Sequence, residues 1–256
     1  MYIFGTMLSA AKIKLVRSLS MKKYRIEHGL FLAEGPKLVS DLAPRFHCEL
    51  LIATESWQGN TSRIQASQTC IVTEEELRKA SLMQAPQKVV ALFRIPETGN
   101  DTHITGKELC IALDGIQDPG NLGTIVRIAD WFGIEHIFCS HETVDIYNPK
   151  TVQATMGAMS RVSVHYVNLC EELSSLPSGT HVYGTYMDGK SIYEEELAAD
   201  GIIVMGNEGS GISQSVGRSV TSRLSIPSYP QGRPTSESLN VAVATAIVCS
   251  EFRRNI

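Results

Sequence analysis

The chain has 256 residues and a mass of 28.0 kDa, enough for one large or two modest domains. Hydrophobic residues make up 43% and charged residues 20%, and no stretch approaches the roughly 20 uncharged apolar residues of a membrane span. A transmembrane protein is therefore not expected. The six cysteines form no C-x-x-C pair, which predicts neither a zinc site nor a disulfide framework and favours free thiols in the cytoplasm.

Charge is distributed unevenly along the chain. The formal net charge is -4, but residues 1–45 carry +5, residues 46–108 carry -2 and residues 109–256 carry -7. One interpretation is that this basic N-terminal segment, which includes Lys22, Lys23 and Arg25, attracts polyanions. The same charges also fit a solvated helix face. Both interpretations stay open at this point.

The first hundred residues predict a small α/β domain. The predicted elements are a helical region over 7–25, a strand over 31–35, a helix over 37–42, a strand over 49–54, a helix over 74–80 and a strand over 88–93. Residues 95–107 contain proline and glycine with little apolar content, which is typical of a linker. We therefore expect domains over 1–100 and 108–256, and a fragment beginning near Thr105 that folds by itself.

Beyond the linker, apolar strand patterns alternate with helices. Strands are predicted over 109–113, 136–139, 181–185, 202–205 and 224–227, and helices over 122–132, 150–159 and 241–253. This alternation predicts a mainly parallel sheet covered on both faces. In such sheets ligands bind at the carboxyl ends of the strands, so the loops that follow the strands are the candidate functional segments.

Two glycine-rich stretches suggest nucleotide binding but fit poorly. The stretch from Gly184 to Ser191 has the phosphate-loop spacing G-x-x-x-x-G-K-S, yet Asp188 places a carboxylate where phosphates would bind. Only 65 residues follow Ser191, whereas a phosphate loop normally follows the first strand of its domain, so we interpret the match as chance. Residues 206–211 read G-x-x-G-x-G late in the chain, which disfavours a dinucleotide-binding oxidoreductase.

Three other loops carry asparagine, arginine, glutamate or serine side chains, which can bind a polar ligand. Residues 118–129 form a turn that leads into a helix, with Asn121 at its start and Arg127 six residues later. Residues 206–209 read Gly-Asn-Glu-Gly, and residues 236–240 read Ser-Glu-Ser-Leu-Asn before the last helix. Each loop alone fits a helix cap or a turn. Together, in this order, they resemble the three signature motifs of the SpoU (TrmH) family of RNA ribose 2′-O-methyltransferases, members of the SPOUT superfamily.

The resemblance extends over most of the chain. Residues 147–150 and 154–158 are similar to the family's segment between the first two motifs, and residues 23–25 and 29–35 to the N-terminal substrate-binding domain of many members. That domain is itself similar to a small ribosomal-protein fold. The family implies a C-terminal parallel-sheet α/β domain with a deep trefoil knot, a small N-terminal α/β domain, and a homodimer whose active sites form at the subunit interface.

One departure concerns the third motif. Twelve residues separate Ile226 from Leu239, a few more than in the shortest family members, so the loop on the cofactor side is expected to have a different shape.

The resemblance also implies the reaction. S-adenosylmethionine would donate a methyl group to a ribose 2′-hydroxyl, in ribosomal RNA because the accessory domain resembles a ribosomal protein. The alternatives are transfer RNA as substrate, or a catalytically inactive RNA-binding member. An inactive member would be expected to lack Arg127, Glu208 or Asn240, and all three are present.

The family's functional residues map onto the three motifs and the neighbouring strand ends. The implied catalytic residues are Asn121, Arg127, Glu208, Ser238 and Asn240, and the implied cofactor-binding residues, acting largely through backbone groups, are Thr185, Gly206, Ile226 and Leu239. No metal is needed. Because a guanidinium is a poor base, Arg127 is open to three roles: base, phosphate ligand or stabiliser of the developing alkoxide.

Overall fold

The structure, a computed structural model, describes residues 8–97, 103–230, 233 and 236–254. It divides into two compact units. The first consists of Met1–Thr98 and Asp145–Ser160, and the second of Gly99–Val144 and Arg161–Ile256. The chain therefore returns to the first unit after it has begun the second. Residues 98–102 of the predicted linker lie outside the described residues.

Short helices and strands alternate in both halves of the chain. Up to residue 94 they are α1 (Ala10–Ser18), α2 (Lys22–His28), β1 (Leu30–Glu34), α3 (Pro36–Leu42), β2 (Cys48–Thr54), β3 (Ala66–Val72), α4 (Glu74–Ala80) and β4 (Val89–Arg94). From residue 109 they are β5 (Leu109–Asp114), α5 (Pro119–Trp131), β6 (His136–Cys139), α6 (Pro149–Thr155), β7 (Ser163–Tyr166), α7 (Leu169–Ser174), β8 (Val182–Ser191), β9 (Gly201–Gly206), α8 (Gln214–Gly217), β10 (Ser222–Ser225) and α9 (Val241–Arg253). The elements β3, β7, α7 and α8 were not predicted.

The first unit is built on a four-stranded sheet of order β1-β4-β2-β3. Strand β4 pairs antiparallel with both neighbours, whereas β2 and β3 are parallel. Side chains of alternating positions on these strands form one buried core cluster together with Val16 of α1 and Leu19 at the end of that helix. Helix α4 begins with a capping box in which Thr73 and Glu76 exchange hydrogen bonds.

Arg25 is a buried cation of the first unit. It is only 2% exposed, and its Nε and Nη2 donate to Asp145 Oδ2 at 3.0 and 2.7 Å. Its Nη1 donates to the carbonyl oxygens of Leu19 and Ser20 at 2.8 and 3.1 Å. These bonds hold the turn between α1 and α2 against the start of the segment 145–160. Arg25 is therefore not available to an external polyanion, and the interpretation of this residue as a nucleic-acid contact is wrong.

Replacing Arg25 by alanine is expected to lower the free energy of unfolding by about 3–5 kcal/mol, because it leaves Asp145 uncompensated in a nearly buried position. Urea denaturation followed by circular dichroism measures this loss. Alanine at the exposed Lys23 on the same helix is the matched control and should change stability by less than about 0.5 kcal/mol. Equal stability of the two variants would contradict a structural role for the ion pair.

Helix α6 packs on β1 within the first unit. The ring of Tyr147 lies 5.0 Å from that of Phe31, centroid to centroid. Thr151, Val152 and Thr155 are fully buried. A fragment that begins near Thr105 would leave these side chains without their partners in residues 1–98, so the expectation that such a fragment folds cleanly is revised.

The second unit contains a six-stranded, entirely parallel sheet of order β10-β8-β9-β5-β6-β7. This confirms the predicted parallel-sheet α/β fold. Strands β5 and β9 lie side by side in its centre, with Asp114 level with Gly206 at their carboxyl ends. The chain leaves β5 toward one edge of the sheet and returns through β8 on the other side. That reversal places a crevice where the two central strands end. The trefoil knot stays a prediction.

The stretch from Gly184 to Ser191 lies inside β8 and is not a phosphate loop. The strand predicted over 181–185 extends further and ends at Ser191. Close packing explains the glycines. A Cβ at Gly184 would lie 2.6 Å from the ring of Tyr186, and one at Gly189 would lie 2.5 Å from the backbone of Leu224 in β10.

In the described part of the chain, no helix is both long and apolar enough to cross a membrane. Nor does any group of three or more His, Cys, Asp or Glu residues within those ranges have the arrangement to hold a metal ion. The six cysteines are free thiols, and Cys170 is exposed while the other five are buried.

Candidate active site

Three polar side chains from the three sequence motifs are joined by hydrogen bonds. Asn121 Nδ2 donates to Glu208 Oε1 at 2.9 Å, and Asn240 Nδ2 donates to Asn121 Oδ1 at 2.9 Å. Asn121 is half-buried, whereas Glu208 and Asn240 are exposed. The structure thus brings residues 121, 208 and 240 into one chain of hydrogen bonds that is open to a ligand. We call it the amide–carboxylate chain.

Helix caps orient two members of this chain. Asp118 caps α5 by accepting a hydrogen bond from Asn121 N at 2.8 Å, and Pro119 fits the first turn because it needs no amide partner. Asn240 caps α9, with Oδ1 accepting from the amides of Ala242 and Val243 at 3.0 and 3.3 Å. Since Oδ1 of Asn240 is used by the cap, its Nδ2 is directed at Asn121.

The loop that carries Glu208 is fixed by Asn207, which the sequence reasoning did not single out. Asn207 Oδ1 accepts from the amides of Gly209 and Ser210 at 2.9 and 3.0 Å. Asn207 Nδ2 donates to the carbonyl oxygen of Gly115 at 2.7 Å. The side chain therefore folds the tight turn after β9 and ties it to the loop after β5. An asparagine that precedes a glycine-containing turn was the available signal.

Asp114 gives the site a second internal support. It lies at the end of β5, is 9% exposed, and accepts a hydrogen bond from Ser213 N at 2.7 Å through Oδ2. Ser140 Oγ, just after β6, accepts a hydrogen bond from Gly115 N, just after β5, at 3.0 Å. The loops after three neighbouring strands are thus held together by side chains as well as by the sheet.

Arg127 and Ser238 lie outside the amide–carboxylate chain. Arg127 is exposed on α5, about 9 Å along the helix axis and about 120° around it from Asn121. Neither Arg127 nor Ser238 forms a hydrogen bond or ion pair with any other described residue, and Ser238 is also exposed. Within one subunit, therefore, residue 127 does not reach the other predicted catalytic residues.

Helices α5 and α9 run side by side and expose apolar side chains. Their first turns are linked by Asn121 and Asn240, and near their last turns Arg253 Nε donates to the carbonyl oxygen of Phe132 at 3.0 Å. Trp131 at the end of α5 is 84% exposed, and Val243 in α9 is 50% exposed. We call this surface the α5–α9 face. Large exposed apolar side chains of this kind are typical of surfaces that bind another molecule.

Three of the four predicted cofactor residues, Thr185, Gly206 and Ile226, lie in or directly after strands β8, β9 and β10, which are neighbours in the sheet. Thr185 in β8 follows Gly184, which pairs with Val204, so it lies next to the end of β9 at Gly206. Ile226 follows the last residue of β10, and Leu239 precedes the cap of α9. Residues 231, 232, 234 and 235 of the loop between Ile226 and Leu239 lie outside the described residues.

The groups at these positions suit S-adenosylmethionine. Thr185 Oγ1 donates to the carbonyl oxygen of Val204 at 3.1 Å and keeps lone pairs free to accept. The backbone N–H and C=O of Leu239 form no hydrogen bond with another described residue. A Cβ at Gly206 would lie 2.3 Å from the backbone of Gly211, so only glycine fits at this strand end. Hydroxyl and backbone groups at strand ends match a neutral base and ribose hydroxyls.

Comparison with known proteins identifies two family regions. Residues 108–250 match the SpoU rRNA Methylase family, and residues 10–91 match the MRM3-like substrate binding domain. Among curated relatives, the 23S rRNA (guanosine(2553)-2′-O)-methyltransferase RlmP of Bacillus subtilis is 30% identical over 247 residues, covering 94% of this chain and 96% of the relative.

Solved structures agree with these matches. A TrmH-family protein from Porphyromonas gingivalis is 39% identical, with a TM-score of 0.87 over 98% of this chain and 100% of that one. The AdoMet-bound rRNA methyltransferase from Sinorhizobium meliloti is 28% identical, with a TM-score of 0.83 over 98% of this chain and 97% of that one.

The parallel sheet, the three motif loops at its carboxyl edge and these relatives define the class of protein: an RNA ribose 2′-O-methyltransferase that uses S-adenosylmethionine. Its substrate-binding domain precedes the catalytic region in the chain. The chain belongs to the SpoU rRNA methylase family.

Replacing Asn207 by alanine is expected to lower kcat about 10- to 100-fold, because Glu208 loses the turn that aims it at Asn121. Asn207→Asp keeps the Oδ1 acceptor but sets a carboxylate oxygen against the carbonyl oxygen of Gly115, so its kcat should lie between those of the wild type and the alanine variant. Methyl transfer from tritiated S-adenosylmethionine at saturating cofactor measures the effect. A wild-type kcat in the alanine variant would show that the turn holds its shape without Asn207.

Proposed function

We propose that this enzyme methylates a ribose 2′-hydroxyl of ribosomal RNA and that Asn121, Glu208 and Asn240 bind the ribose. The supporting observation is the amide–carboxylate chain, in which each motif supplies one member. Glu208 uses Oε1 for Asn121, and its Oε2 accepts no hydrogen bond from a described residue. That oxygen is therefore available to a ribose hydroxyl. The RlmP relative is named for 2′-O-methylation of a guanosine in 23S rRNA.

Bound S-adenosylmethionine supplies an electrophilic methyl group on a sulfonium. The protein's own contribution is to align the 2′-oxygen with that methyl group and to stabilise the charge that the oxygen gains as its proton passes to water. Glu208 and the amides of Asn121 and Asn240 fix the ribose through hydrogen bonds. Because a guanidinium is a poor base and a good donor to oxygen anions, Arg127 is assigned to stabilise the developing alkoxide or to hold the adjacent phosphate. Ser238 lies two residues before Asn240 in the third motif and is assigned to the substrate side.

A homodimer completes this site. Arg127 faces away from Asn121 in its own subunit and shares the α5–α9 face with the exposed Trp131 and Val243. A second copy of the chain packed on this face would bury the apolar side chains and bring its Arg127 to the neighbouring ribose site. Active sites at a subunit interface follow from this arrangement.

The first unit is proposed to capture RNA through helix α2. Lys22 and Lys23 are exposed, and Lys23 Nζ lies 5.8 Å from the ring centroid of Tyr24. The ring of Tyr24 in turn lies parallel to that of His28 at 6.3 Å. Cationic and aromatic side chains on one short helix provide phosphate contacts together with surfaces for stacking of unpaired bases.

Replacing Lys22 and Lys23 together by alanine is expected to weaken RNA binding and to reduce the slope of log K against log[salt] by about 1.4, the value for two lost phosphate contacts on single strands. Fluorescence anisotropy at several salt concentrations measures the slope. The double variant Lys79→Ala, Lys88→Ala removes the same charge from other exposed positions and is the control. An unchanged slope in the α2 variant would show that these lysines only solvate the helix.

Mapping of 2′-O-methylation in cellular RNA, with and without the protein, tests the proposed function. We expect one ribosomal position to lose its methyl group, and purified protein to restore it with S-adenosylmethionine. Loss of methylation in transfer RNA alone would favour the alternative substrate. Unchanged methylation in all RNA, together with RNA binding, would favour an inactive RNA-binding member.

The free state of all six cysteines supports the cytoplasm, a reducing compartment, as the place where the enzyme acts.

A further inference from the structure

A cavity opens at the carboxyl edge of the six-stranded sheet. Its volume is about 500 Å³, and the loops that follow β5, β6, β7 and β9 line it. None of the four predicted cofactor residues belongs to its lining. Asn207, which lines the cavity, is adjacent in the chain to Glu208 of the amide–carboxylate chain. The cavity and the proposed ribose site therefore share the turn after β9.

The electrostatics of the cavity disfavour a phosphate. Of the described residues that line it, none is lysine or arginine, and two, Asp114 and Glu142, are acidic. The other polar groups in the lining include the side chains of Gln117, His141 and Asn168. Two carboxylates without a basic neighbour in the lining repel an anion and attract groups that donate hydrogen bonds.

The two carboxylates have different roles. Asp114 is nearly buried and already accepts from Ser213 N, so it forms part of the floor. Glu142 is exposed in the loop after β6. Hydrogen bonds from its own backbone N–H and from the Ser140 hydroxyl lower the pKa of Glu142, which keeps it ionised at neutral pH. Its loop is anchored, because Ser140 N and Thr143 Oγ1 both donate to the carbonyl oxygen of Leu113.

We propose that this cavity binds the unpaired guanine base of the methylated nucleotide, with Glu142 accepting hydrogen bonds from the base. The inference rests on the proposed function, since it requires an RNA substrate whose ribose lies at Glu208. Guanine presents two adjacent donors, N1–H and the N2 amino group, which match the two oxygens of a carboxylate. Adenine and uracil lack this donor pair. The volume lies within the range of small-molecule sites and accommodates one nucleoside.

Base and ribose are assigned to one nucleotide because Asn207, which lines the cavity, and Glu208 are consecutive residues of the turn after β9. Enzymes that act on a nucleotide commonly turn its base out of the stack and read the Watson–Crick edge in a pocket.

Binding of short RNAs tests the proposal without relying on catalysis. The probes are single-stranded oligouridylates that carry one guanosine, inosine or adenosine at the centre. Inosine keeps N1–H and lacks the N2 amino group. We expect the full-length wild type to bind the guanosine probe about tenfold more tightly than the other two, from loss of the paired donors. Glu142→Gln, which replaces an acceptor oxygen by an amide donor, should bind all three probes equally.

Glu135→Gln is the control, because Glu135 is exposed in the second unit and does not line the cavity. It should keep the wild-type preference for guanosine. Equal binding of the three probes by the wild type, or an unchanged preference in Glu142→Gln, would overturn the assignment of the cavity. A guanosine preference in a protein that transfers no methyl group to RNA would instead refute the proposed function and leave the cavity assigned.

Discussion

Replacing Arg127 by alanine is expected to lower kcat for methyl transfer about 100- to 1,000-fold, the loss typical of removing one group that stabilises charge in the transition state. The affinity for S-adenosylmethionine should stay within about threefold of the wild type, because Arg127 lies on α5 and the cofactor residues lie on other segments. Single-turnover transfer and isothermal titration with the cofactor measure the two quantities separately.

Arg254→Ala is the matched control. Arg254 is an exposed arginine just beyond α9, about 20 Å along that helix from Asn240, and it pairs with Glu251 at the surface. Its removal should change neither kcat nor cofactor affinity. A fully active Arg127→Ala enzyme would remove residue 127 from the catalytic assignment.

Mixing two inactive variants tests whether Arg127 acts across the proposed dimer. In a mixed dimer of Arg127→Ala and Glu208→Ala subunits, one site combines an intact arginine with an intact glutamate if the arginine comes from the partner. Random reassociation should then restore about a quarter of the wild-type sites. If Arg127 acts within its own subunit, both sites in the mixed dimer stay defective and no activity returns. Light scattering that gives a monomer mass would contradict the dimer itself.

The central strands and long helices could be predicted from the sequence, and two of the edge strands, β3 and β7, could not. Helix α9 has the predicted bounds because Asn240 is a strong cap and small residues continue from it without interruption. Strands β3 and β7 lie at sheet edges, where one side is not paired. Polar residues interrupt both strands and most of their side chains are at least partly exposed, so they lack the continuous apolar run that identifies a buried parallel strand.

Motif order identified the members of the candidate site but could not give their contacts. The sequence placed Asn121, Glu208 and Asn240 in three separate loops, and only the parallel sheet order brings those loops to one edge. Arg25 is a residue whose role the sequence did not reveal. It lies in a basic segment, but it is buried against Asp145, which is 120 residues later in the chain. Charge along the sequence does not distinguish such a residue from its exposed neighbours.

The same long-range packing predicts how a truncated chain behaves. A fragment that begins at Thr105 contains the whole SpoU match, residues 108–250, but lacks the strands that cover α6. Without residues 1–98, the fully buried Val152 and the ring of Tyr147 become exposed. Each such side chain costs about 1.5–3 kcal/mol on exposure to water. We therefore expect residues 145–160 to unfold in the fragment, while the six-stranded sheet, whose strands all lie outside that segment, persists.

Limited proteolysis with mass spectrometry locates the cleavage sites. In the fragment, cuts should concentrate within residues 145–160, and the full-length protein should resist cleavage there. Full-length Arg25→Ala is the informative intermediate, because it keeps the first unit but loses the ion pair to Asp145 that anchors the start of the segment. Its cleavage rate in this segment should lie between the other two. A fragment that resists cleavage at 145–160 as well as the full-length protein does would show that the catalytic region holds α6 without the first unit.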